Sequence, residues 1–397
     1  MARVKDLTEL TVTDLWKEVK DEEDWWGDIN ERTLNMVKLI LENSLEEELL
    51  EELSASRYKR CSRRSGYRNG HYGRNLYTTF GLIKSLRVPR ARERYNSKIL
   101  PRYQRRQAEI NRMVREMFLA GVSTRRVGEV LTRIRGDNIS AQTVSNICRS
   151  LDIEVERFHS RYLADVYQYL FFDGISLKVK VAGKVYRKQV LCAYGITLTG
   201  KREIINFRQA ADESEAKWEA FLNDLFNRGV AGKQCRLIVT DGCPGLHKAL
   251  ETVYPYTAKQ RCWAHKLRNV ADKLRRVDLD NCMAGARSIY LARHRKEAIS
   301  KYRDWKIRWH SLYPNAVDCL GKDLEELLNF FDVPPDHRIK VRTTNVIERA
   351  FREVRRRTRP MSCFTNSQSV NRIIYGVISH LNHRWKDKPL WQFTQES

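Results

Sequence analysis

Two short apolar runs, each meeting an aspartate followed by a glycine, constrain this chain more than any other feature. Leu237-Ile238-Val239-Thr240 leads into Asp241-Gly242 after the hydrophilic Gly232-Lys233-Gln234, and Tyr169-Leu170-Phe171-Phe172 leads into Asp173-Gly174. Runs of about four β-favouring residues bounded by polar and turn-forming residues are the pattern of buried strands. Taken singly, Asp-Gly is ordinary turn chemistry after a strand. Taken as a pair, the two runs present two carboxylates that are able to share a metal.

Composition narrows the partner. With 397 residues, 42% of them hydrophobic, the chain has the length for two or three domains with real cores. A formal net charge of +24 and a pI near 9.7 mark an excess of Lys and Arg that answers a polyanion, and nucleic acid is the leading candidate. The start Met1-Ala2-Arg3-Val4-Lys5-Asp6 has no apolar signal core, and no apolar run approaches the ~20 residues of a membrane span. Nine scattered cysteines without a Cys-x-x-Cys pair fit reduced thiols, so a bacterial-type cytoplasm is the expected compartment, with no membrane and no organic cofactor.

The charge is unevenly laid out. Residues 1–56 hold 6 Lys/Arg against 16 Asp/Glu, with Leu34, Val37, Leu41, Leu45 and Leu49 at helical spacing, and read as an acidic helical arm for dimerisation or self-masking, or simply a solvated helix pair. Residues 57–113 then hold 17 Lys/Arg against 2 Glu. A basic β-containing region is expected over 57–106, with a hairpin turn at Asn69-Gly70 and Arg63, Arg64, Arg68, Arg87 and Arg90 facing DNA. Over 107–158 three helices are expected, Ala108 to Leu119, Ser123 to Leu131 and Ser140 to Leu151, in helix-turn-helix spacing. The third would turn Val144, Ile147 and Leu151 inward and offer Gln142, Thr143, Ser145, Asn146 and Arg149 to base edges.

From Asp165 the pattern is three strands (Val166 to Val181, Val185 to Thr197, Arg202 to Gln209), a helix from Glu213 to Asn227, and the strand ending at Asp241. This is the opening order of a ribonuclease H-like α/β domain with a mixed sheet. Its first part is placed at 159–275, an all-helical insertion at 276–340, and its second part at 341–397. The returning chain carries Glu348 one turn inside a helix that begins near Asn345, with Arg352, Arg355 and Arg359 on or close to the same face. Asn345 three residues before Glu348 also makes a capping box, in which the glutamate merely satisfies the helix start. Both readings stand at this point.

Two strand-borne carboxylates and one from a helix are what two divalent cations need to activate an attacking oxygen and stabilise a leaving one in phosphodiester chemistry, and Mg²⁺ or Mn²⁺ takes such hard oxygen ligands. Basic residues beyond the glutamate, Arg352 and Arg356 among them, would hold the DNA backbone. Cys235, Cys243, Cys262 and His265 fit no familiar zinc spacing, and no phosphate-loop or Gly-x-Ser-x-Gly sequence occurs.

Phe172-Asp173-Gly174, Thr240-Asp241-Gly242, Cys262-Trp263-Ala264-His265 and Thr343-Thr344-Asn345-Val346-Ile347-Glu348-Arg349, in this order and at these separations, resemble the bacterial Mutator-type DDE transposases of insertion sequences. The likeness extends over nearly the whole chain, with Gly66-Tyr67-Arg68-Asn69-Gly70 and Val88-Pro89-Arg90 ahead of the three helices. It implies that Asp173, Asp241 and Glu348 are the metal-binding acids, that Cys262, Trp263, His265 and Asn345 support them, and that Arg355 is the basic position following the glutamate. It also implies terminal inverted repeats and target DNA as double-stranded partners, and a homodimer or higher oligomer. A non-catalytic DNA-binding regulator and a nuclease that only cuts are the competing functions.

Overall fold

The computed structural model describes residues 25–56, 62, 64–92, 95–135, 139–359, 363–364 and 366–393. Residues 1–24 of the arm, Arg63 and Gly136-Asp137-Asn138 lie outside the described residues. The chain divides into two compact units, Met1–Phe118 with Val122–Cys148, and Leu119–Gly121 with Arg149–Ser397.

In the first unit, helix α1 (Trp25–Leu53) lays its apolar stripe on a two-stranded antiparallel hairpin, β1 (Arg68–Thr78) and β2 (Gly81–Ala91). Leu45, Leu76, Ile83, Leu86, Val88 and Leu100 form a buried cluster flanked by Leu34, Val37 and Leu41. This helix is therefore packed on the hairpin and not merely solvated: Glu46 meets Arg68 and His71, and Glu48 accepts from the Tyr95 hydroxyl at 2.8 Å. The hairpin turns at Thr79-Phe80 rather than at Asn69-Gly70. Gly70, at φ +68°, serves a register shift near the start of β1, while Gly81 at φ +134° and the Thr78 hydroxyl, donating to the Gly81 carbonyl, close the turn.

Three helices follow, α2 (Ala108–Leu119), α3 (Thr124–Arg135) and α4 (Ala141–Arg149), burying Ile110, Val114 and Phe118, then Val127 and Leu131, then Val144, Ile147 and Cys148. The third stops at Arg149, and Leu151–Ser160 is a separate helix, α5. The expected boundary after residue 158 thus falls inside α5, which belongs to the second unit: Asp152 forms a two-pronged pair with the buried Arg372, both contacts 2.6 Å.

The second unit is built on a mixed five-stranded sheet. Strands β3 (Tyr167–Val181), β4 (Lys184–Thr197), β5 (Arg202–Ala210), β6 (Leu237–Thr240) and β7 (Ala258–Arg261) lie in the order β5-β4-β3-β6-β7, the first two pairings antiparallel and the last two parallel. Alternation puts Leu170 and Phe172 into one core with Trp218, Phe221 and Leu222 of helix α6 (Glu215–Asn227) and Leu246 of α7 (Pro244–Val253). Strand β7 escaped the sequence reading because three of its four residues, Lys259, Gln260 and Arg261, are polar. Beyond α8 (Trp263–Ala271), residues 279–341 are helical apart from short connections and a 3₁₀ turn, with α9 (Leu279–Tyr290) and α10 (Arg295–Trp309) the longest. This segment is tied to the sheet edge by Arg261, which contacts Asp323 and Glu326 at 3.1 and 2.8 Å, and by the buried Lys266–Asp323 pair. Among the described residues no helix is long and apolar enough to cross a membrane.

Candidate active site

The parallel register brings the two aspartates together. Phe172 pairs with Thr240, so Asp173 and Asp241 occupy the next positions on adjacent strands. They are held differently. Asp241 leaves the end of β6 and accepts from the Cys243 N–H at 3.0 Å, and Gly242, at φ +92°, turns the chain. Asp173 ends nothing: β3 runs through it, opposite Cys192, for eight more residues. Gly174 has no left-handed φ, so turn chemistry does not explain its place.

Glu348 arrives on α11 (Asn345–Thr358), which buries Ile347, Ala350, Phe351 and Val354 and exposes Arg349, Arg352, Arg355 and Arg356, with Arg359 exposed at its C-cap. The N-cap is Thr344, not Asn345, and no side chain caps the helix, which removes the capping-box role for Glu348. Its Oε1 is instead buried without a hydrogen-bond partner. His265 Nε2 approaches it at 3.4 Å as an ion-pair contact lacking hydrogen-bond geometry.

Asp173 is 6% exposed, and burial first, then the charge of Asp241 and that of Glu348, push its carboxyl up to about 7 against the lowering pull of its neighbour's N–H and of His265. Cys262 is the N-cap of α8, its N–H bonded to the Thr240 carbonyl at 2.8 Å, which fixes the motif to the end of β6. Burial would raise the Cys262 thiol, but hydrogen bonds from His265 and from the Thr344 hydroxyl and N–H, both 3.3 Å from the sulfur, hold it below its ordinary value. The bond to Cys262 is the main force raising His265 to about 9, with Asp173 and Glu348 adding to it. A cationic imidazole is thereby kept among the carboxylates.

Trp263 is almost wholly buried, its indole N–H donating to the Leu327 carbonyl at 2.7 Å, and it locks the helical segment to the sheet. Asn345 is exposed and lines a cleft of about 340 Å³ with Lys340, Arg342 and Arg349. Cys235 and Cys243 do not join Cys262 and His265, and among the described residues no three His, Cys, Asp or Glu side chains stand ready as a ligand set. The acids are neighbours through their fields, not a closed cage.

In the first unit Arg64 lies 5.2 Å over Tyr67, and Arg90 lies 4.5 Å over Tyr72 at a cavity of about 940 Å³ also lined by Arg74, Arg102 and Arg105. Arg68 is engaged by Glu46, and Arg87 is exposed on β2. On α4, Gln142, Asn146 and Arg149 are exposed, Thr143 and Ser145 half-buried, with Gln142 donating to Asn146 at 3.1 Å. Arg356 pairs with Glu353 at 3.0 Å, whereas Arg352 and Arg355 are exposed. The sequence reading missed Thr344, although the residue lies inside the Thr343-Thr344-Asn345 passage it singled out.

The family model for Mutator family transposases matches residues 8–388. The transposase for insertion sequence element ISRM5 of Rhizobium meliloti (strain 1021) is 35% identical over 89% of this chain and 88% of its own length. That for element IS905 of Lactococcus lactis subsp. lactis (strain IL1403) is 30% identical, covering 90% of both chains, and that for IS256 in transposon Tn4001 of Staphylococcus aureus is 31% identical over 88% and 90%. With a match of this extent, the chain belongs to the Mutator family of transposases.

Proposed function

We propose that the protein is a DDE transposase that binds the terminal inverted repeats of an insertion sequence, hydrolyses a strand at the element end, and uses the freed 3′-OH to attack a phosphodiester of target DNA. One observation carries this reading: Asp173 and Asp241 follow paired positions on adjacent strands, the buried Asp173 is raised by the charges of Asp241 and Glu348, and Glu348 Oε1 is left without a partner. Buried polar atoms are seldom orphaned without a reason, and like-charged carboxylates crowded together call for cations. The oxygen-only donor set fits Mg²⁺ or Mn²⁺, most simply a pair of ions. When bound, such ions would activate the attacking oxygen and stabilise the leaving one.

The protein's own groups do the rest. Asp173 and Asp241 would hold ions at fixed strand positions, and Glu348 would close the set from a helix whose start is bonded to Cys262. His265 would offset carboxylate charge until cations arrive. Arg352 and Arg355, exposed on the Glu348 helix, and Lys340, Arg342 and Arg349 around the neighbouring cleft would receive backbone phosphates. Burial, followed by the like charges of Arg349 and Arg202, holds Lys340 below its ordinary value, as suits a surface that awaits an anion.

The strand order β5-β4-β3-β6-β7, with three antiparallel strands followed by two parallel ones, supports assigning the second unit to the ribonuclease H-like folds, interrupted by the helical segment. The basic hairpin and the three helices α2 to α4 would read the element ends, α4 as the recognition helix. Incubating the protein with end DNA, a target duplex and Mn²⁺ tests the assignment. Products in which element ends are joined to target are expected. Cleavage without joining would leave a nuclease, and binding without cleavage a regulator.

A further inference from the structure

The cavity of about 940 Å³ in the first unit is formed by the hairpin and the loop after it, with Tyr72, Arg74, Arg90, Arg102, Tyr103 and Arg105 among its lining residues. Its loop wall is fixed from both ends. Glu48 of α1 accepts from the Tyr95 hydroxyl at 2.8 Å and from the Ser97 hydroxyl at 2.5 Å, and Leu100 joins the buried cluster of the hairpin and α1. Further on, the Tyr77 N–H of β1 donates to the Arg105 carbonyl and the Gln107 N–H to the Tyr77 carbonyl, both at 2.9 Å. The Arg74 guanidinium spans the interval, donating to the carbonyls of Pro101 at 3.4 Å and of Gln104. On this braced loop Tyr103 is 81% exposed at φ +76°, a left-handed conformation that glycine adopts freely and a bulky residue only under strain. The Arg102 guanidinium lies 5.3 Å from its ring centre. Strain of this kind persists where the surrounding structure imposes it, and it clusters at ligand clamps.

Among the described residues no Asp or Glu lines this cavity, and Arg90, Arg102 and Arg105 are exposed around it. Guanidinium groups beside tyrosine rings match a ligand that carries phosphates and flat bases together. In a duplex the base faces are covered by their stacked neighbours, leaving only groove edges and phosphates. A tyrosine ring held out in solvent finds a free face on an unpaired base. We propose that the cavity binds unpaired nucleotides of single-stranded DNA, with Tyr103 stacking on a base and Arg90, Arg102 and Arg105 receiving the flanking phosphates. The inference deepens, and rests on, the reading of the first unit as the part that holds element ends, since an enzyme that cuts strands there creates unpaired DNA.

Fluorescence anisotropy of a short labelled oligo(dT), beside a fully paired element-end duplex, tests it on the full-length protein. Tyr103→Gly, which removes the ring and suits the left-handed backbone, should melt no lower than the wild type. It should bind oligo(dT) about tenfold more weakly, the loss of about one base stack, while its affinity for the duplex changes by no more than about twofold. Tyr103→Trp should bind oligo(dT) at least as tightly as the wild type. Oligo(dT) carrying 5-bromodeoxyuridine should cross-link within residues 72–105. Oligo(dT) binding unchanged in Tyr103→Gly, equal weakening for duplex and oligo(dT), or cross-links confined to other segments would overturn the proposal. Tighter binding of oligo(U) than of oligo(dT) would overturn it in favour of RNA. Because oligo(dT) binding needs no cleavage, the two levels separate. Absence of joined products with the Tyr103 effect intact contradicts the transposase reading alone; normal joining with oligo(dT) binding unchanged in Tyr103→Gly contradicts only the role of the cavity.

Discussion

Asp173 carries the cost of the site in its own titration. Its folded pKa of about 7 lies above the ordinary aspartate value of ~3.9, so between these limits the metal-free folded protein binds more protons than the unfolded chain. Stability should therefore fall as pH rises through this window, with a contribution approaching ~1.4 kcal/mol per pH unit where the two states differ by one proton. His265, raised to about 9, stabilises below ~6.5, and its contribution is lost as pH rises through 9, so the two groups act in the same sense in succession. Melting curves in EDTA at pH 5.5 and 7.5 should show the fall, and Asp173→Asn should flatten it. Equal pH dependence in that variant would place the proton elsewhere. Thr344 offers a second test, because its hydroxyl and N–H both reach Cys262. Thr344→Val should cost about 1 to 2 kcal/mol in denaturant unfolding and slow cleavage about tenfold by loosening the start of the Glu348 helix, and Thr344→Ser should restore both. The places of Asp173, Asp241 and Glu348 in the fold were legible in the sequence because each stands beside an apolar run or helix start. Thr344 was not, since its partner is a sulfur 82 residues away and Asn345 offered a local cap that the chain does not use.

At the level of elements, periodicity located most of the second unit. The spans expected for β3, β4 and β5 differ from the observed ones by one residue at most at any end. The expected span already carried β3 past Asp173; what periodicity could not show was why a glycine follows it, because Asp-Gly is punctuation in most sequences and only the packing of Glu213 explains the glycine. The acidic arm was misjudged for a related reason. Its charges suggested a solvated segment, yet Leu45 and Leu49 are fully buried and Leu45 joins the hairpin's core. Leu45→Ala should cost about 2 to 5 kcal/mol of the first unit's stability, and removal of residues 1–56 should leave a hairpin with an uncovered apolar face that aggregates. A soluble, cooperatively folded protein lacking those residues would show that the arm is dispensable.

On the scale of the whole molecule, the charge of +24 is the property that ties the two units to one partner. A fragment ending at Ser150, not at Phe158, should fold alone, because α5 is paired with Arg372 of the second unit. It should prefer element-end DNA to random duplex, with affinity falling about 10³-fold or more between 50 and 200 mM salt if six or more phosphates are engaged. No preference for the ends would move specificity out of the basic hairpin and the three helices. The convergence of three acids spaced 68 and 107 residues apart on one cation site remains the central claim. Its most direct test is cleavage of end DNA together with thermal stabilisation by Mn²⁺, in Asp173→Asn, Asp241→Asn and Glu348→Gln. Each variant should lose cleavage, strand transfer and the Mn²⁺ stabilisation while still binding ends specifically; a Glu348→Gln protein that cuts DNA at the normal rate would contradict the account.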